Sequence, residues 1–172
     1  MIGGSAVKRD VWRAALACLL AGGLFGLTKL LFELAEGSFG TMLYCCFLGI
    51  SCCLAAGARA CGLPGYLLSL AVGLVWVGLY TGAETALLAT ALPPLAARVL
   101  AFGAVSAVIE AANLFWLKRT PARHAILQFS AIIGCFSRTP AEYPAVAAAI
   151  VTGIVVSILY KGIYGALRDP DQ

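Results

Sequence analysis

Apolar runs of membrane-spanning length, separated by short polar turns, repeat along the whole chain. They cover about 11–32, 39–60, 63–80, 95–117 and 143–167, and a shorter run, 125–137, lies between His124 and Arg138. A bilayer crossing takes about 20 apolar residues. The pattern therefore predicts an all-α, polytopic transmembrane helix bundle of 5–6 membrane segments with short loops, forming a single integral membrane domain over 1–172.

Small residues recur at helical spacing inside these runs. Gly22 and Gly26 share a face in the first, and the same face continues to Lys29 and Glu33. Cys45, Gly49, Cys53 and Gly57 repeat every four residues in the second, Gly65, Ser69 and Gly73 in the third, and Ala149, Gly153 and Ser157 in the last. Such ridges let helix backbones approach closely in lipid, where there is no hydrophobic drive to hold helices together. Lys29 and Glu33 lie one turn apart, placed either to pair or to reach toward the membrane surface.

Two runs do not fit a simple span. A single helix over 63–92 would be about 45 Å long, more than the hydrocarbon core of about 30 Å. It must project beyond the membrane or break near Gly82, and Pro93-Pro94 ends it. The 125–137 run is too short for a comfortable crossing and predicts a re-entrant or strongly buried piece.

Composition changes the picture in one direction only. Of 172 residues 62% are hydrophobic and 12% charged, with a mean hydropathy of +0.95. A water-facing surface cannot be built from so few charges, and no length remains for a separate soluble domain. The net charge of +4 comes from basic residues at span ends. Without interleaved aromatics this is a topology signal and not a nucleic-acid surface. Lys8, Arg9, Arg13, Arg59, Lys118, Arg119 and Arg123 fall on one side if the N-terminus is inside, with Arg98 and Arg138 as exceptions. The first run is longer than a signal-peptide core and is followed by no A-x-A cleavage site, so it reads as an uncleaved span.

Candidate chemistry is sparse. The seven cysteines lie mostly in apolar stretches and read as small hydrophobes. His124 is the single histidine, so no Cys/His zinc site is expected. No phosphate-cradling Gly-rich loop, H-E-x-x-H or E-x-x-H pattern occurs, and no catalytic residue, cofactor or metal is predicted. The one conspicuous group is in the 95–117 run. There Gly103, Ser106, Glu110 and Asn113 are spaced 3, 4 and 3 and share a helix face. This polar stripe should point at protein or water. Lys29, Arg98, Arg138 and Lys161 are candidate partners for Glu110, while Glu84 and His124 are expected near the membrane surfaces.

The expectation for function is a non-catalytic membrane subunit that packs into and stabilises a larger complex, for example an accessory subunit of an organellar or respiratory-chain assembly. The alternative is a small oligomeric transporter or channel with Glu110 as a proton- or cation-handling carboxylate. Expected partners are membrane lipids and other membrane subunits or copies of the chain, with no nucleic acid. Many thiols and no glycosylation sequon fit an organellar (mitochondrial) or bacterial inner membrane.

Overall fold

Threonine, glycine and proline placement explains where the helices run and stop in the computed structural model of the chain. The structure describes residues 42–136 and 138–168, together with Trp12, Arg13 and further scattered positions up to Ala35. Described positions between 12 and 34 are all helical and are called α1. The other helices are α2 (Leu43–Ala55), α3 (Leu63–Leu88), α4 (Pro94–Phe115), α5 (Ala125–Cys135) and α6 (Tyr143–Arg168). There is no strand among the described residues.

Among the described residues three helical stretches, Ala60–Leu88, Pro94–Phe115 and Pro140–Ala166, are long and apolar enough to cross a membrane. The third run is not broken at Gly82. One interior glycine costs a helix only about 1 kcal/mol. Thr81 and Thr85 absorb their own polarity by donating to the carbonyls of Val77 and Thr81, at 2.9 and 2.8 Å. The helix therefore continues to Leu88, and Pro93 and Pro94 start the next.

The second run is shorter than the sequence suggests. α2 has 13 residues, about 20 Å of helix. Gly57, expected on its packing ridge, is instead its stop, at φ +103°. The Gly57 N–H donates to the Leu54 carbonyl and the Ala58 N–H to that of Cys53 (3.0 and 2.9 Å), the two bonds of a Schellman motif. Lys161 of α6 donates its Nζ to the Gly57 carbonyl. The 125–137 run forms an 11-residue helix and not irregular backbone.

α2 lies along α6 and α3 along α5, each pair running in the same direction, while α4 returns antiparallel to α3. Gly49 and Cys53 are buried against α6, as are Gly153 and Ser157 against α2, while the Cys45 thiol donates to the Gly134 carbonyl of α5 and Ala149 is buried. A Cβ on Gly153 would collide with the Cys46 carbonyl, and one on Gly49 with that of Ile150. The two backbones touch because both positions lack a side chain. Cys45, Cys46, Cys52, Cys53 and Cys135 are buried free thiols, and Cys61 is exposed. Two ends result. One gathers the C-termini of α2, α4 and α6 and the N-termini of α3 and α5. The other gathers the opposite termini.

Candidate functional site

Inside the bundle the side chains of Trp76 and Asn113 converge on Gln128. It sits on α5, the most enclosed helix, and is fully buried. Its Nε2 donates to Asn113 Oδ1 of α4 at 3.0 Å and to the Ala122 carbonyl at 2.7 Å. Its Oε1 accepts from Asn113 Nδ2 and from Trp76 Nε1 of α3, both at 3.0 Å. Asn113 spends its second N–H on the Ile109 carbonyl, 2.9 Å. Both donors and both lone pairs of the Gln128 amide are used. The network links three helices and contains no titratable side chain. Gly73 brings α3 against it, since a Cβ there would lie 2.7 Å from the Gln128 carbonyl oxygen.

The predicted polar stripe of α4 is split by this arrangement. Asn113 reaches the interior. Ser106 is half-buried, and its Oγ is enclosed without a hydrogen-bond partner among the described residues. Gly103 and Glu110 are exposed on the outer side. The buried seam of α4 is Ala97, Ala101, Val105, Ile109 and Ala112. The stripe was expected to point at protein or water because polar groups avoid lipid. The alanines instead take the inward side, because their small size lets α4 approach α3 closely. Three of the four candidate partners of Glu110 are committed elsewhere, and the fourth, Lys29, lies outside the described residues. Arg98 pairs with Glu84 at 3.2 Å, Arg138 with Glu142 at 3.2 Å, and Lys161 binds the Gly57 carbonyl. Among the described residues Glu110 has no hydrogen-bond or ion-pair partner. Gly26 is described and has open space where a Cβ would stand. Gly22, Lys29 and Glu33 lie outside the described residues.

At the end holding the α3 C-terminus, Glu84 and Arg98 tie α3 to α4. Glu142 accepts from the Thr139 N–H and hydroxyl at 2.9 and 3.0 Å while it pairs with Arg138. Glu84, Arg98 and Arg138 edge a cavity of about 360 Å³, into which Tyr80, Thr81 and Tyr143 also face. Tyr80, Phe102 and Phe136 form an aromatic cluster beside it, with centroids 5.4–6.3 Å apart. Each of these two arginines has its own carboxylate.

The other end differs. Arg59, Lys118, Arg119, Arg123 and Lys161 gather there, and none of the three described carboxylates, Glu84, Glu110 and Glu142, pairs with them. His124 is half-buried at the start of α5 and packs edge-on against Tyr66, with ring centroids 4.9 Å apart. Burial first, and then the charge of Arg123, pushes its imidazole below the ordinary value.

Sequence reasoning missed Gln128, and it read Trp76 as a bulky packing or interface anchor and not as a hydrogen-bond donor to that amide. The available signal was Gln128 itself, a single amide inside an otherwise apolar run. No family model matches the chain, and no curated protein or solved structure shows significant similarity to it.

Proposed function

We propose that the chain is a non-catalytic integral membrane subunit that joins a larger membrane assembly through the outer face of α4. The observation that carries this reading is the position of Glu110. It is exposed on the side of α4 away from the bundle, about 7.5 Å along the axis from Phe115. A carboxylate facing lipid at that depth is expensive and normally meets a polar partner. Its neighbours on the face are Val99, Gly103, Ala107 and Leu114, all exposed. Gly103 and Ala107 stand four apart, the spacing that lets another helix come close.

The orientation and segment count of this reading rest on charge and direction. The end with Arg59, Lys118, Arg119, Arg123 and Lys161 is assigned to the inside by the positive-inside rule. α2 starts at the opposite end, so a crossing by α1 puts the N-terminus inside. α5 runs between the two ends and α6 returns, which favours six segments, two of them short. The membrane is an organellar or bacterial inner membrane, on the thiol and sequon argument above.

A photo-reactive residue at Ala107, in native membranes, is expected to cross-link to a second protein. The same residue at Val155, exposed on α6, is expected to give no such product. Equal labelling from both positions overturns the reading. The transporter alternative uses the same residue: because Glu110 lies outside the bundle, a path that meets it runs between copies. It predicts liposome flux that Glu110→Gln abolishes.

A further inference from the structure

The basic end of the bundle contains a built pocket. It is a cavity of about 310 Å³ whose lining includes Gly57, Arg59, Gly62, Tyr66, Arg123 and His124. The walls are fixed by hydrogen bonds and packing. Tyr66 is 2% exposed, and its hydroxyl accepts the Arg59 N–H at 3.1 Å. The His124 ring stands edge-on to Tyr66, and the His124 N–H donates to Ser69 Oγ at 3.3 Å. Arg59 and Arg123 have no carboxylate partner among the described residues. No carboxylate stands among the described residues that line the cavity.

A second hollow adjoins the first and has the opposite character. It is an apolar groove of about 640 Å³ running along Ile158, Leu159 and Ile163 of α6. Arg59 and Cys61 border both spaces, and Lys161 stands at the groove edge. A cationic pocket opening onto an apolar groove, at the end of helices long enough to cross a bilayer, has the shape of one amphiphile.

We propose that this end binds an anionic phospholipid. The guanidinium groups of Arg59 and Arg123 take the phosphate, and an acyl chain lies along Ile158, Leu159 and Ile163. Arginine suits the task because its planar fork of donors matches phosphate oxygens two at a time. Basic pockets between helices on the cytoplasmic side are where anionic headgroups are held. The assignment does not depend on what packs against α4.

The test uses the full chain in a zwitterionic detergent, with three probes: phosphatidylglycerol, phosphatidylcholine and inorganic phosphate. Thermal unfolding and native mass spectrometry read binding. Phosphatidylglycerol is expected to raise the unfolding temperature and stay bound, and the other two are not. With both Arg59→Gln and Arg123→Gln in place, binding is expected to be about thirtyfold weaker, about fivefold for each charge removed. Lys118→Gln, at the same end but outside the pocket, should leave it unchanged. Equal retention of phosphatidylcholine, or phosphatidylglycerol binding unaltered in the double variant, overturns the proposal. Inorganic phosphate binding as tightly as the lipid overturns the acyl-groove assignment. Should the double variant fail to fold, the three-probe comparison on the wild-type chain still decides.

Discussion

Asn113 and Gln128 face each other as a reciprocal amide pair, each donating to the other's carbonyl oxygen at 3.0 Å. They are 15 residues apart, on helices that a basic loop connects, and Trp76 closes the group from a third helix. A pair satisfied in both directions loses more when one member is removed than its own bonds are worth. The orphaned partner remains buried and unpaired, at a cost of about 1–3 kcal/mol.

A double-mutant cycle checks this. Asn113→Leu and Gln128→Leu are each expected to destabilise the chain in micelles, Gln128→Leu more, since it also strands Trp76 Nε1 and the Ala122 carbonyl. The double variant should cost less than the sum, with a coupling of about 1–2 kcal/mol. Additive losses would mean that the two amides do not act as a pair.

The contact between α2 and α6 gives a second prediction. Gly49 and Gly153 stand where the two backbones meet. Gly153→Leu forces them apart and is expected to cost at least about 1–3 kcal/mol. Gly78→Leu is the control, because open space surrounds that position. Reversible unfolding in mixed micelles measures both, and equal effects would contradict the packing described.

Gly57→Ala tests the helix stop. Its left-handed conformation costs a residue with a Cβ about 1–2 kcal/mol. A loss of that size is expected, with helical content by circular dichroism unchanged. A neutral substitution would mean that the stop does not depend on this conformation.

His124 supplies a pH signature. Because burial and Arg123 lower its pKa, the fold favours neutral imidazole. The stability this contributes is present above the ordinary value of 6.5 and is lost as pH falls through the lowered folded-state value. As the single histidine, it is directly readable by NMR in zwitterionic micelles. The midpoint should lie below 6.5. Arg123→Gln should raise it only in part, since burial is the larger cause. A midpoint at or above the ordinary value contradicts the packing on Tyr66.

The long apolar helices and the close-packing ridges were legible in the sequence, because length and four-residue spacing of small side chains follow directly from helix geometry. Gly57 was misread for the same reason. A glycine four residues past a ridge position looks the same whether it packs or ends the helix, and only its φ separates the two. The rotation of α4 was not legible. Lipid and protein interior are both apolar, so hydrophobicity does not mark the inward side, and the small size of Ala97, Ala101 and Ala112 decides it. Glu84 paired with Arg98 because the turn between α3 and α4 folds the two back onto each other, a relation that no local pattern encodes.

The outward position of Glu110 is tested most directly by native mass spectrometry of the full chain, extracted from its own membrane in a mild detergent. A subunit held through α4 leaves the membrane with further protein mass attached. Glu110→Leu should strip that mass while the isolated chain keeps its helical content and unfolding temperature. A wild-type chain that emerges as a bare monomer, or an assembly that Glu110→Leu leaves intact, would contradict it.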